Sequence, residues 1–421
     1  MPKTFLIISQ VYPPDPASVG QHVQDAAAEM VRRGYRVIVY CSARGYDDPS
    51  KKYPSRETVR GVTIRRLPLS SFGKSSIAVR LLAQWIFLLQ AVARGLFTRG
   101  LAGLMVSTSP PFCGVGGAII SKLRGVPVKY WLMDLNPDQM VAMKILGETS
   151  LPVKVFDLFN RIILRAASDI VVLDRFMLER VERKGVDVSG KVDVMPPWPL
   201  DEDVYNIPHE QNPFRAAQGL EGKFVVMYSG NHSPANPLKT LLDAAERLAD
   251  RPEIVFMFIG GGGGKKEVDE RIAKGAKNIR SLPYQPLSEI KYSLSAGDVH
   301  VVSLGDDVVG IVHPCKVYGA MAVSRPILGL GPRPCHVSDL VEKGGLGWHV
   351  RHGDTDGAEK ALREMIALPP EKLRQMGARA AELISGELSK RSLMTRFCDV
   401  MERGIRTSTA PAPGRTNSAA A

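Results

Sequence analysis

A length of 421 residues, 44% of them hydrophobic and 23% charged, fits two globular domains with full cores rather than one. The net charge is +12, and residues 1–200 hold 27 Lys and Arg against 16 Asp and Glu, about +11. This basic half excludes a nucleic-acid reader, because no aromatic interleaving or recognised module accompanies the charge, and it points instead to phosphorylated ligands or an anionic membrane surface.

The N-terminal Lys3-Thr4-Phe5-Leu6-Ile7-Ile8 has the charged start of a signal peptide. Its apolar run ends at Ser9-Gln10 with no small-residue cleavage site, so a first β-strand, Thr4–Ser9, is expected. A helix from Gln21 to Arg33 follows, with Val23, Ala27, Met30 and Val31 on one face and Gly34 as its stop. Further strands are expected at Tyr35–Cys41, Leu104–Ser107, Val126–Trp131, Asp169–Leu173 and Lys191–Met195. Between them, Ile77–Phe97 carries an apolar stretch flanked by Arg80 and Arg94. It is shorter than the ~20 apolar residues a span requires. Two readings stay open: a buried core helix, or a helix lying in the headgroup layer on arginine anchors.

Met195-Pro196-Pro197-Trp198-Pro199 and the polar sequence up to Gly222 read as a linker. In the second half, strands are expected at Phe224–Ser229, Ile254–Ile259, Asn278–Ser281, Asp298–Val302, Pro326–Gly329 and Gly347–Val350. Helices fall between them, at Pro237–Ala249, Lys265–Lys274 and Leu287–Ala296. This alternation is the pattern of parallel βαβ units, so the fold class is α/β with two Rossmann-like domains facing a cleft. A last helix is expected near Lys390–Gly404. The Ser-, Thr-, Ala- and Pro-rich Thr407–Ala421 reads as a disordered tail. The cysteines Cys41, Cys113, Cys315, Cys335 and Cys398 are odd in number and lack metal-ligand spacing, so a reducing cytoplasm and no metal site are expected.

Five segments carry candidate chemistry. The loop after the first strand, from Tyr12 to Gly20, places a glycine just before a helix, where backbone N–H groups suit a phosphate; an ordinary strand–helix connection reads equally well. Gly230, Asn231 and His232 end a strand of the second half. Gly260, Gly261 and Gly262 open a five-glycine run followed by Lys265 and Lys266 that could cradle phosphate or lie against a nucleobase. The run has neither Walker A spacing nor a dinucleotide fingerprint. His313-Pro314-Cys315-Lys316 begins a helix, and Lys316 in its first turn opposes the helix dipole, which suggests an anionic ligand; a solvated surface lysine is the plain alternative. Asp134, Asn136 and Asp138 follow another strand and could orient acceptor hydroxyls or supply a base, whereas helix N-capping would also explain Asn136 or Asp138.

Together these segments resemble the retaining glycosyltransferases of the GT-B fold, sequence family four, over nearly the whole chain. Tyr12-Pro13-Pro14, Gly20 and Arg33-Gly34-Tyr35-Arg36-Val37 are similar to that family's first βα unit. Ser109-Pro110-Pro111 and Asp134-Leu135-Asn136-Pro137-Asp138 are similar to its bacterial polysaccharide branch, as are Tyr228-Ser229-Gly230-Asn231 and Lys316–Ala322. The resemblance implies an acceptor domain (1–195), a linker (196–222), a nucleotide-sugar domain (223–387) and a helix (388–406) that returns to the first domain. It implies donor contacts at Gly20, Gly230, Asn231, His232, Gly260, Gly261, Gly262, Tyr284, His313, Lys316, Tyr318 and Gly319. Acceptor contacts fall at Tyr12, Asp134, Asn136 and Asp138. The expected reaction transfers a hexose or N-acetylhexosamine from a UDP- or GDP-sugar with retention, without cofactor or obligatory metal, onto a saccharide or lipid-diphosphate-linked acceptor on the cytoplasmic face of the membrane. The usual basic pair is replaced by Asn231 and Asn236, two usual glutamates by Ile311 and Gly319, and a first-domain histidine by Met133. Lys316 and the His313 region are therefore expected to hold the diphosphate. A sugar-nucleotide 2-epimerase and a degenerate binding scaffold are the two rivals.

Overall fold

The computed structural model describes residues 2–15, 17–45, 48, 50–70, 77–200 and 204–405. The expected tail, Asp201–Asp203 of the expected linker and the Arg80 side chain lie outside the described residues.

Strands β1 (Thr4–Ile8), β2 (Arg36–Ser42), β3 (Arg56–Val59), β4 (Val62–Leu67), β5 (Leu101–Ser107), β6 (Val128–Trp131), β7 (Asp169–Val172) and β8 (Val192–Val194) form one sheet. Its order is β3-β4-β2-β1-β5-β6-β7-β8. All its pairings are parallel except β3 with β4. Strands β9 (Phe224–Ser229), β10 (Ile254–Ile259), β11 (Ile279–Leu282), β12 (Val299–Ser303), β13 (Ile327–Leu330) and β14 (Gly347–Val350) form a second sheet, all parallel, ordered β11-β10-β9-β12-β13-β14. Helices cover both faces of such sheets, so their central strands are apolar throughout. Thr4–Ile8 and Ile254–Ile259 are buried at every position. Each fully buried Phe, Leu or Ile there contributes roughly 1.5–3 kcal/mol over its exposed state. In both sheets the strand order reverses beside the first strand, between β1 and β5 and between β9 and β12. Ligands bind at the carboxyl ends of strands at such switch points.

The hairpin of β3 and β4 has no counterpart in the sequence expectation. Its turn residues Arg60 and Gly61 both have positive φ (50° and 78°), the geometry of a tight two-residue hairpin. Charges hide it: Arg56, Glu57, Arg65 and Arg66 interrupt the apolar alternation of Val62 and Ile64. Arg66 is 2% exposed and donates to Pro13 O (2.9 Å) and Pro54 O (3.1 Å), so it ties the hairpin to the loop after β1.

The helix Ile77–Leu96 is amphipathic, with one face in the core as the first reading expects. Phe87, Leu88 and Ala91 are core; Leu82, Trp85 and Leu89 face outward. The helix Lys390–Glu402 packs on the first sheet rather than the second. Leu393, Phe397, Cys398 and Met401 join the first core, and Arg33 reaches Asp399 (2.7 Å) and Glu402 (2.6 Å). The proline-rich stretch after β8 is no free tether there. Trp198 is buried, stacks on Trp131 at 5.5 Å and meets Phe397 at 5.4 Å.

Candidate active site

Between the two switch points lies a cavity of about 330 Å³. Ser18, His22 and Trp198 line it from the first domain and the chain leaving it. Gly230, Tyr284, Lys316, Tyr318 and Gly319 line it from the second.

Lys316 opens the helix Lys316–Ala322, as its place after Pro314 implies. Its side chain lies across Gly230: a Cβ there would overlap Lys316 Cε and come within 3.1 Å of Cδ. Gly230 has φ of 138°, so this position needs glycine both for its backbone and for the lysine above it. Lys316 Nζ sits 5.4 Å from the centre of the Tyr228 ring. Among the described residues no carboxylate lies within ion-pair distance of it. Burial pulls its ammonium down to about 8. A partly desolvated cation without a counter-charge, at a sheet's carboxyl edge, is a candidate receptor for an anion.

Asp134 follows β6 at the first domain's side of the cleft. Burial pushes its carboxyl up to about 6, and burial followed by Asp134 pushes the neighbouring Cys315 thiol up to about 11. Asp134 thus stands beside the residue that precedes Lys316. Its own loop is fixed from both domains: Met133 N and Asp134 N donate to Thr108 Oγ1 (3.3 Å each), and Leu135 N donates to Ile311 O across the cleft (3.1 Å). A carboxyl raised to about 6 can accept or donate a hydrogen bond, or act as a base.

Several expected contacts are corrected. Tyr12 is 2% exposed in the first core, its hydroxyl unpartnered, so burial removes it from an acceptor. Gly20, whose donor contact stays an expectation, lies in the first turn of the helix Ser18–Arg32 between the cavity-lining Ser18 and His22, where a Cβ would press on the Tyr12 backbone at 3.1 Å. His232 is 0% exposed and held at Gly230 O (3.1 Å), chiefly desolvated into its neutral form, and cannot meet a donor directly. The glycine run packs closely on the loop after β9. A Cβ on Gly260 would overlap the Gly230 carbonyl, and one on Gly262 would overlap Asn231 Oδ1 and approach His232 O. These glycines let one loop pack on another. Lys265 is spent on the Gly260 carbonyl (2.6 Å) and the Leu282 carbonyl.

Other positions are in place without a ligand contact being defined. Gly261 lies 3.1 Å, by its would-be Cβ, from the half-exposed Tyr284 ring at the cavity mouth. Asn231 is exposed and its carbonyl accepts from Tyr228 (2.7 Å). Asn136 accepts from Asn160 through its carbonyl (2.6 Å) and caps nothing. Asp138 is paired with Lys184 (2.5 Å), which also holds Asp157, in a second cavity of about 480 Å³ that includes Asp306 and Asp307. His313 donates to Asp174 (2.9 Å) and meets the Tyr318 hydroxyl (2.7 Å), which also meets His336 (3.3 Å).

Sequence reasoning passed over His22, Trp198, Asp174 and His336. His22 adjoins the Gly20 segment and is fixed by Ser18 O and Trp198 O (2.8 Å each). Its place in the first turns of the first helix was the available signal. Asp174 and His336 carry none, because only the meeting of the domains brings them together.

Two Rossmann-like domains whose switch points face one cavity give the GT-B architecture. Family models agree: residues 18–198 match the glycosyl transferase 4-like domain, and residues 210–383 match glycosyl transferases group 1. The chain belongs to this glycosyltransferase family. Among its relatives, the probable glycosyltransferase WbjE of Pseudomonas aeruginosa is 25% identical over 56% of this chain; the match spans 58% of WbjE's length. The putative colanic acid biosynthesis glycosyl transferase WcaI of Escherichia coli is 24% identical over 68% of this chain and 70% of its own. Among solved structures, a sucrose-phosphate synthase from Thermosynechococcus elongatus superposes with a TM-score of 0.73 at 16% identity, covering 95% of this chain and 98% of its own. HepE from Anabaena, solved with UDP and glucose, gives 0.70 at 17% identity, with 95% and 99% covered. At these identities the structural likeness concerns the fold.

Proposed function

We propose that this glycosyltransferase moves a hexosyl or N-acetylhexosaminyl group from a UDP- or GDP-sugar to a lipid-diphosphate-linked saccharide, with retention, in cell-surface glycan synthesis. The observation that carries it is Lys316, an uncompensated cation over Gly230 at the cleft. It binds the donor diphosphate and offsets the charge that develops as the sugar leaves. Asp134 orients the acceptor hydroxyl or takes its proton. No obligatory metal or other cofactor enters this scheme. Retention rests on the family resemblance, and the acceptor class on the relative named for colanic acid biosynthesis and on the basic first domain. An epimerase needs carboxylates facing the sugar, but Asp306 and Asp307 line the other cavity, away from Lys316. A scaffold would have no use for a lysine held at a desolvation cost. The test is nucleotide release from UDP- and GDP-sugars with and without lipid-linked acceptor. Release only with acceptor supports transfer, release of free nucleotide sugar epimers without acceptor favours the epimerase, and no turnover with any donor supports the scaffold.

The acceptor would be reached at a membrane surface, on its cytoplasmic side. No helix among the described residues is long and apolar enough to cross a membrane. Three helices packed side by side, Ile77–Leu96, Cys113–Arg124 and Leu151–Ala166, instead expose Leu82, Leu89, Leu123, Leu151 and Leu158. Arg94, Lys122, Lys154, Arg161 and Arg165 are exposed on the same helices. Phe87 is core and takes no part, and Trp85 is half-covered by its stack on Phe112. Apolar side chains among cations suit an anionic bilayer. Binding to anionic vesicles should exceed binding to neutral ones and weaken with salt; equal partition at low salt would remove this part of the reading.

A further inference from the structure

We propose that Asp174, His313 and His336 form a site for one divalent transition ion of the zinc class, which clamps the first domain to the second. One ligand atom from each of the three lies within 4.8 Å of the others. Asp174 follows β7 in the first domain; its Oδ1 accepts from Met177 N (2.9 Å), which leaves Oδ2 turned to the second domain, 2.9 Å from His313 Nδ1. His336 opens the helix His336–Gly344. The His313 and His336 rings lie 4.3 Å apart, tilted by 49°.

The donor set selects the ion. Two imidazoles and one carboxylate suit zinc and its neighbours, whereas magnesium and calcium take oxygen ligands. Tetrahedral zinc holds nitrogen and oxygen at roughly 2.0–2.2 Å, so its ligands stand about 3.4 Å from one another. The Asp174–His313 pair, at 2.9 Å, is tighter than this, while the cluster as a whole spans up to 4.8 Å, so side-chain rotation would open the one and close the other. The Tyr318 hydroxyl, which touches both imidazoles, fixes their orientation, as outer partners do in metal sites. Binding would displace the proton that His313 shares with Asp174.

Placement gives the ion its role. It would sit in a seam that other contacts already cross: Arg175 grips Asp339 through two bonds (2.7 and 3.1 Å), and Arg180 donates to Val309 O (3.1 Å). His313 lies three residues before Lys316, so the clamp would set the entry to the helix that carries the cleft lysine. The ion would be structural and would touch no reacting atom, so the inference does not depend on the donor or acceptor proposed above.

The experiment uses the full chain, stripped with chelator and titrated calorimetrically with zinc, cobalt and magnesium chlorides. One zinc per chain should bind, with no magnesium heat, and cobalt should give the visible spectrum of a tetrahedral site. His313→Gln and His336→Gln, which keep size and a polar group, should each weaken zinc about a hundredfold, and Cys335→Ser should leave it unchanged. Zinc should also slow hydrogen exchange on both sides of the seam, in 175–182 and 309–318, in wild type alone. Absence of stoichiometric zinc in the wild type would overturn the proposal, as would undiminished zinc affinity in folded His336→Gln.

Discussion

The second domain has two strand-end loops that begin with glycine and lead to a lysine, one carrying five glycines and the other a single one. After β10, five glycines and two lysines make the richer phosphate signature, yet Gly260 and Gly262 back onto the neighbouring loop and Lys265 is consumed by carbonyls. After β9, the single Gly230 has Lys316 laid over it from a helix more than eighty residues later in the chain, and that cation is unspent. Glycine content reports how closely backbones approach. Whether a site results depends on what the glycine makes room for, and on whether the nearest charge already has a partner.

Substitution separates the two loops. Gly260→Ala should give the largest effect, and on folding: the residue sits at φ 132° with its would-be Cβ against a backbone carbonyl that cannot swing away. Strain and overlap together should cost about 3 kcal/mol, read as a lowered urea midpoint at unchanged slope. A midpoint equal to wild type would mean the loops are not packed as described. Lys316→Ala should behave oppositely. Loss of a charge-assisted phosphate contact should weaken UDP or GDP binding tenfold to a hundredfold, about 1.4–2.7 kcal/mol, with little change in stability. Lys316→Arg should recover only part, since the forked guanidinium is bulkier than the space over Gly230. Unaltered calorimetric binding in Lys316→Ala would take the lysine out of the donor site.

The Lys316 ammonium also gives the comparison a pH axis. Its charge is lost as pH rises through about 8, well below the ordinary lysine value. Nucleotide diphosphate affinity should therefore fall about tenfold between pH 7 and 9, and Lys316→Met should abolish that dependence. Stability should move the other way. The unfolded chain keeps the proton to higher pH than the native one, so between about 8 and 10 the wild type should gain stability relative to Lys316→Met. Parallel pH profiles for the two proteins would refute both halves.

How far the sequence was legible follows from where each signal resides. β10 could be read because Ile254–Ile259 is apolar at every position, as a strand covered on both faces must be. The β3–β4 hairpin could not, because Arg66 is buried through bonds to distant carbonyls that no local pattern announces. Lys316 stood out through an unfavourable local choice, a cation at a helix start, and it lines the cavity. Tyr12 and His232 were misplaced because their chemistry looks functional while their burial is decided by tertiary packing. Asp174, His313 and His336 are separated by 139 and 23 positions and belong to both domains, so their meeting has no sequence signature at all.

The smallest expected effect on binding is the most direct test of the contrast between the loops. Lys265 begins the helix after the glycine run, where a phosphate-cradling lysine would be sought. Its ammonium instead donates to the Gly260 carbonyl at 2.6 Å and to the Leu282 carbonyl, joining the ends of β10 and β11. Lys265→Met keeps the length of the side chain and removes the donor. Two part-buried carbonyls then lose a partner, which should lower stability by about 1–2 kcal/mol. Nucleotide affinity should change by less than about twofold, because no charge that faces the ligand has been removed. Measured beside Lys316→Ala under the same conditions, the two lysines should thus trade places, one moving the denaturation midpoint and the other the dissociation constant. If Lys265→Met instead weakens UDP or GDP as much as Lys316→Ala does, the glycine run is a phosphate loop after all, and Lys265 leaves its carbonyls when the nucleotide arrives.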